Sequence, residues 1–312
     1  MINWGILGMG RMGMSFANAI KETSNSKLIA TASNSGKVFG DFENKSYESL
    51  INDKNIDAIY IATINNSHVD LIKKIIETQK KILCEKPIAT SLQSFLEVEK
   101  LMLDKKIKFY EGIAYYSHPQ TIEVLNLIDN DEIGNIEKIE STFGFKARYR
   151  PSSRLYNKEL GGGSIFDLGC YPISFFMLFA KLQEKIFISN KKLNYAKSGV
   201  DDEATATLNY DNKFEGKIHV SIKSNLENSC TIYGSKGFIK VKEPWSPSNN
   251  DVIEISSKKH FYVKQIKSNL SVYANQIEKV SESFLNDNVK NNLFDIQKSS
   301  INMKLIDNWL SK

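Results

Sequence analysis

Cysteine is scarce. Cys84, Cys170 and Cys230 are the only three, widely spaced and odd in number. They form neither a disulfide framework nor a zinc ligand set. Histidine occurs four times, again without ligand spacing, so no metal is expected. Long apolar runs are missing: the most apolar stretch, 173–180, is far short of the ~20 residues a membrane helix needs. Clustered basic charge is missing too. Lys and Arg total 41 against 36 Asp and Glu, a formal charge of +5 spread along the chain. That excludes the concentrated basic face of a nucleic-acid binder. Met1-Ile2-Asn3-Trp4-Gly5 shows no basic segment followed by a long apolar one, so a cytoplasmic protein is expected. Internal repeats and low-complexity segments are absent.

What is present is 312 residues, 41% of them apolar. That length suits about two domains. In the first third, apolar strands at 2–7, 27–32, 57–62, 81–84 and 107–111 alternate with helices at 12–20, 69–78 and 92–103. Strands alternating with helices imply crossovers and a parallel sheet buried on both faces. After residue 118 the pattern changes. Segments 204–210, 217–222, 229–234, 238–241 and 252–256 alternate apolar with polar residues, the sign of an antiparallel or mixed sheet with one open face. Helices near 272–285 and 294–310 close the chain.

Gly8-Met9-Gly10-Arg11-Met12-Gly13 spells Gly-x-Gly-x-x-Gly between the first strand and the first helix. The first glycine allows the tight turn, the second lets a pyrophosphate approach, and the third lets helix and strand pack closely. Amides at the helix start then hold phosphate. After the second strand, where an acidic residue would read a ribose 2′-hydroxyl, stand Ser33-Asn34-Ser35, with Lys37 beyond. No carboxylate repels a 2′-phosphate there, so NADP is expected over NAD. Ligands in such sheets lie past the carboxyl ends of the strands. Those ends carry Thr63, Asn65 and His68, then Glu85-Lys86-Pro87, then Glu111-Gly112. Thr63, Asn65, Glu85 and Lys86 are expected at the cofactor. His68 either joins them or caps the helix that follows.

A second constellation runs from Gly161-Gly162-Gly163 through Ser164 to Asp167, Gly169, Tyr171 and Pro172. Asp167 and Tyr171 at i, i+4 would share a helical face. Pro172 must kink that helix or begin another. The plain alternative is a helix start with an acidic first turn and a core tyrosine.

In this order, Gly8 to Gly13, Glu85-Lys86-Pro87, His118-Pro119, and Gly161-Gly162-Gly163 leading to Asp167-x-Gly169-x-Tyr171 resemble the glucose–fructose oxidoreductase / inositol dehydrogenase (Gfo/Idh/MocA) family across essentially the whole chain. The resemblance implies an α/β chain. Residues 1–118 would form a Rossmann domain with a doubly wound parallel sheet. Residues 119–312 would form an α+β substrate-binding and oligomerisation domain with a large, mostly antiparallel, open-faced sheet. Many family members carry His where this chain has Tyr171. The tyrosine form resembles the branch of dihydrodiol dehydrogenases, NADP-linked xylose dehydrogenases and glucose–fructose oxidoreductases. One departure stands out: relatives often place Arg before His-Pro, where this chain reads Tyr115-Tyr116-Ser117-His118.

The implied reaction moves a hydride between a nicotinamide and a hydroxyl-bearing carbon of a sugar, sugar derivative or cyclic diol. Tyr171 is the expected acid/base. Its ordinary value of about 10 needs a nearby cation to favour phenolate, and Lys86 is expected to supply it. Asp167 would orient a polyol. Tyr116 and Arg154 are expected substrate contacts, with a plain surface role open for Arg154. Two alternatives remain: a sugar-nucleotide enzyme using Arg148, Arg150 and Arg154 for a diphosphate, and a non-catalytic dinucleotide sensor. The open sheet face suggests a homodimer or homotetramer.

Overall fold

The apolar segments of the first third pair as a six-stranded sheet in the order β3-β2-β1-β4-β5-β6, every pair parallel. The strands are β1 (Ile2–Leu7), β2 (Ser26–Ala32), β3 (Asn44–Lys45), β4 (Ala58–Ile61), β5 (Lys81–Cys84) and β6 (Phe109–Glu111). Between them run α1 (Arg11–Ala19), α2 (Tyr47–Ile51), α3 (His68–Ile76) and α4 (Leu92–Asp104). The order reverses between β1 and β4, the place where doubly wound sheets bind ligands. The computed structural model describes all residues except Val38, Leu182, Gln183, Asn212, Lys259, Lys290 and Lys312. Among the described residues, no helix is long and apolar enough to cross a membrane.

Beyond α5 (Pro119–Asp129) lies an eight-stranded sheet, β14-β13-β12-β11-β7-β10-β9-β8. Its strands are β7 (Ile136–Gly144), β8 (Ile186–Tyr195), β9 (Asp201–Tyr210), β10 (Phe214–Ser221), β11 (Ser229–Gly234), β12 (Gly237–Lys242), β13 (Asn250–Ser257) and β14 (Phe261–Lys267). Only β7 and β10 pair in parallel; the other pairs are antiparallel. Register places Ile188, Leu208, Ile139, Ile232, Ile239 and Ile255 in one buried row. Gly216 interrupts the row, and a Cβ there would stand 2.5 Å from the Phe176 ring. The notch therefore receives Phe176 from α6 (Cys170–Met177) and fixes that helix on the inner face. The opposite face carries Thr207, Lys217, Glu140, Thr231, Lys240 and Glu254 in register.

The chain divides into residues 1–118 with 269–300, and residues 119–268 with 301–312. The expected continuous second domain, 119–312, thus loses 269–300. That segment holds α7 (Val272–Leu285) and the first turn of α8 (Ile296–Leu310), whose remainder belongs to the second unit. Ala274, Ile277, Val280 and Phe284 of α7 join Ile2, Trp4 and Phe16 in one core, and Trp4 Nε1–H donates to Ser281 Oγ at 3.0 Å. An apolar helical stripe says that a helix is buried, not which core receives it. Strands β7, β8 and β14 went unread because their pattern is broken. β8 is a sheet edge with Lys191, Lys192 and Asn194 and two register shifts. Polar residues and bulges are how edge strands avoid further pairing.

Candidate active site

At the glycine turn, Gly8 takes φ +97°, and a Cβ there would lie 2.6 Å from the Ala62 carbonyl oxygen. A Cβ on Gly13 would lie 2.0 Å from the Gly8 carbonyl oxygen. A Cβ on Gly10 would meet nothing within 4 Å. The outer two glycines therefore close the strand–helix contact, and the middle one leaves room in front of it. Gly10 is the N-cap of α1 and offers no side chain to close the first turn. Its amides are available to an anion. Met9, Gly10, Arg11, Met14, Gly36 and Lys37 line a cavity of about 650 Å³. Two cations beside a glycine-cleared helix start fit the phosphates of a dinucleotide. Ser33 is nearly buried: its N–H donates to Asn44 Oδ1 at 2.7 Å, and its carbonyl accepts from Asn44 Nδ2 at 3.1 Å. Asn34 is exposed.

Several residues expected at the cofactor are engaged with other parts of the chain. Met12 turns inward against the core, with the Tyr273 hydroxyl 3.9 Å from its Sδ. His68 is fully buried: Nδ1 lies 2.9 Å from the Pro87 carbonyl and Nε2 3.3 Å from the Thr63 carbonyl. It bolts the β4 and β5 loops together, and burial pushes its pKa down. Thr63 and Asn65 are half-buried on the first of those loops, and Ser67 Oγ–H donates to Thr63 Oγ1 at 2.7 Å. Glu85 is buried and accepts the Tyr60 hydroxyl at 2.5 Å. Tyr116 is also buried, its ring 5.1 Å from Phe294, so it serves the core of its unit. Sequence reasoning gave these residues functional roles because a polar side chain after a strand looks alike whether it faces in or out.

Lys86 is half-buried, and its peptide bond to Pro87 is cis. Its charge favours the ionised forms of Glu85, Glu111 and Tyr273, which places all three around it. Burial raises the pKa of Glu85, against the pull of the Tyr60 hydroxyl and Lys86. Glu111 is raised to about 7, first by burial, while the Ser299 hydroxyl, the Ile88 amide and Lys86 hold it down and Glu85 pushes it up. Burial, aided by Glu111 and Glu85, raises the Cys84 thiol well above its ordinary value.

In the second unit, the glycine run folds the preceding loop back. Gly162 N–H donates to the Asn157 carbonyl at 2.9 Å and Gly163 N–H to the Leu155 carbonyl at 3.0 Å. A Cβ on Gly162 would press on three carbonyl oxygens at 2.7 to 2.9 Å. The fold-back brings Arg154 Nη1 to 2.7 Å from Asp167 Oδ1; Arg154 is half-exposed and Asp167 buried. Ile165–Gly169 forms a single π-helical turn that runs into α6. Pro172 has no N–H for the Leu168 carbonyl, and the wider turn accommodates that loss. The expected i, i+4 face of Asp167 and Tyr171 is therefore not that of a plain α-helix. Tyr171 is half-buried, its ring perpendicular to Phe143 at 5.2 Å and tilted against Trp245 at 6.2 Å. Phe143 and Trp245 went unread in the sequence: each looks like ordinary core, and only pairing brings them to Tyr171. Arg148 and Arg150 are exposed.

The sign of one pH effect follows. Glu111 binds its proton more tightly folded than unfolded. Its contribution to stability is full in acid and is lost as pH rises through about 7. Removing the titration with Glu111→Gln should therefore raise stability relative to the parent as pH goes from 5 to 8, by on the order of 2–3 kcal/mol. Urea unfolding of both proteins at the two pH values checks this; a pH-independent difference contradicts it.

Residues 2–113 match the oxidoreductase family with NAD-binding Rossmann fold, and residues 121–240 match the GFO/IDH/MocA C-terminal domain. The chain is 28% identical over 264 residues to the trans-1,2-dihydrobenzene-1,2-diol dehydrogenase of Xenopus tropicalis, covering 79% of this chain and 77% of that protein. It is 27% identical to the corresponding dehydrogenase of Mus musculus, over 79% of this chain and 76% of that one. Among solved structures it resembles the aldose-aldose oxidoreductase of Caulobacter crescentus complexed with glycerol (TM-score 0.87, 18% identity, 98% of this chain and 95% of that chain). It also resembles KijD10, a 3-ketoreductase of Actinomadura kijaniata in complex with NADP and TDP-benzene (TM-score 0.86, 19% identity, 98% and 96% covered). Fold, glycine turn and both halves of the chain agree: this protein belongs to the Gfo/Idh/MocA family of NAD(P)-dependent oxidoreductases.

Proposed function

We propose that this oxidoreductase takes a polyhydroxylated small molecule, a sugar, sugar derivative or cyclic diol, with Tyr171 as acid/base. The observation that carries the reading is the setting of Tyr171. Phe143 and Trp245 wall its ring, and the Arg154–Asp167 pair stands on the segment just before it. Flat apolar walls beside paired polar groups suit the carbon face and hydroxyl edges of such a substrate. The bound nicotinamide supplies or accepts the hydride. Tyr171 gives or takes the hydroxyl proton, and Asp167, held by Arg154, orients the remaining hydroxyls.

A sugar nucleotide is less well supported. Arg154 is engaged by Asp167, and Arg148 and Arg150 are exposed on the same loop. The pairing of Tyr171 with a polar segment is also more than a dinucleotide sensor requires. Three buried cysteines without disulfides suit the cytoplasm.

For the cofactor, we infer NADP over NAD. Arg11 and Lys37 line one cavity, and the turn at 33–36 holds no carboxylate. For assembly, we infer a two-fold homodimer through the open face of the second sheet. Its charged row there ends beside exposed Phe261 and Val263.

Three measurements test these readings. Tyr171→Phe should lower kcat about 10²- to 10⁴-fold on the best substrate from a screen of aldoses, polyols and dihydrodiols, with dinucleotide affinity unchanged. Full activity in that variant rejects the acid/base role. Replacing Arg11 and Lys37 together by Ala should weaken NADP binding at least about tenfold more than NAD binding, a difference of about 1.4 kcal/mol. Equal weakening of both cofactors defeats the assignment. Sedimentation at micromolar concentration should return twice the mass of one chain, whereas a monomer argues against the sheet interface.

A further inference from the structure

We propose that Asp201, at the head of β9, is a positioning residue whose negative charge holds the segment carrying Asp167 and Tyr171 in working register. The inference rests on the reading of Tyr171 given above and extends it to what controls that side chain.

The geometry is specific. Ser164 Oγ–H donates to Asp201 Oδ2 at 2.6 Å, and Ile165 N–H donates to the same oxygen at 2.8 Å. The backbone amides of Ser164 and of Asp201 itself also favour its ionised form. Asp201 is only 3% exposed and, among the described residues, makes no ion pair. Its approach needs Gly163, which takes φ +125°; a Cβ there would lie 2.3 Å from Oδ1. At the other end of the π-turn, a Cβ on Gly169 would lie 3.1 Å from the Trp309 ring, and Trp309 Nε1–H donates to the Thr205 carbonyl of β9. One strand therefore fixes both ends of the turn, directly through Asp201 and indirectly through Trp309.

Two donors from adjacent residues converge on Oδ2 of Asp201, and neither is a cation. An ionised carboxylate is acceptor-only and can satisfy all of them. Burying such a charge without a counter-ion is unfavourable. An amide or a protonated acid in its place would accept the same two bonds only as neutral ones, roughly half as strong. The charged form is thus the one that holds both bonds most strongly. Burial raises the Asp201 pKa to about 6, with the Ser164 and Ile165 bonds pulling the other way. The ionisable groups around it are Asp202 and Glu203 on its own strand, Tyr195 opposite on β8, and the Asp167–Arg154 pair on the segment it holds. None of these is among the causes of its shift.

Asp201→Asn tests the proposal. At pH 7.5 the variant should lose about 10- to 100-fold in kcat, as a displacement near 1 Å can cause, with NADP affinity unchanged. The ratio of parent to variant rate should fall toward one as pH drops through about 6, because the parent then becomes neutral at this position too. A readout free of turnover is amide exchange at pH 7.5. Peptides covering 163–171 should exchange at least about tenfold faster in the variant, while β10–β12 keep their protection. Equal rates at pH 7.5, a ratio flat from pH 5 to 8, or unchanged exchange at 163–171 each overturn the proposal. If instead exchange changes as expected but Tyr171→Phe stays fully active, the hold by Asp201 stands and the acid/base role falls. Should Asp201→Asn not fold, Ser164→Ala removes one donor from the same carboxylate. Faster exchange over 163–171 is expected there, and unchanged exchange again overturns the hold.

Discussion

A carboxyl group can leave water only where donors meet it, and in this protein such groups decide where the chemistry-bearing side chains stand. In the first unit Glu85 and Glu111 lie buried around Lys86, Glu85 tied to the Tyr60 hydroxyl and Glu111 drawn toward ionisation by the Lys86 charge. In the second unit Asp201 fixes the start of the turn that carries Asp167, and Asp167 holds Arg154. The two arrangements differ in kind. Around Lys86 the buried acids have a cation at hand, so Coulomb attraction offsets part of the desolvation. At Asp201 only hydrogen bonds do so, and their directions are stricter than those of a point charge.

These contacts work because the sheets present rigid ends. The reversal of strand order at β1 and β4 opens the crevice, and Gly8 and Gly13 let α1 start within van der Waals reach of both strands. In the second unit a row of buried Ile and Leu across six strands makes the inner face continuous, and Gly216 supplies the one notch that seats α6 through Phe176. Such a seat keeps a helix from sliding by a turn, and Tyr171 depends on that. The outer face of the same sheet has no such packing and alternates charge instead.

Much of this was legible in the sequence, for physical reasons. The glycine spacing reports backbone approach, which depends on the absence of a Cβ and so shows directly in residue identity. The alternation of β10 and the buried runs of β1 and β4 likewise show as pattern. What was not legible depends on partners remote in the chain. His68 and Tyr116 look like site residues until Pro87 and Phe294 are seen to enclose them. The return of 269–300 to the first unit leaves no mark in local pattern, since α7 would look the same in either core. Asp201 reads as an ordinary acidic strand start, and only the facing amides of 164–165 give it a role. The π-turn was half legible: Pro172 announced a disturbance, but not that the chain would widen rather than bend.

Buried acids whose proton affinity is raised set stability and order against each other. Glu111 and Asp201 take up protons near pH 7 and 6. Each stabilises the folded chain more when neutral, and each loses that contribution as pH rises through its own value. Yet it is the ionised form of Asp201 that holds the turn's two donors most strongly, and the ionised form of Glu111 that best complements Lys86. Above pH 7 the protein therefore gives up folding free energy to keep its charged groups in register. That is the trade expected of a site whose geometry matters more than its own contribution to the fold.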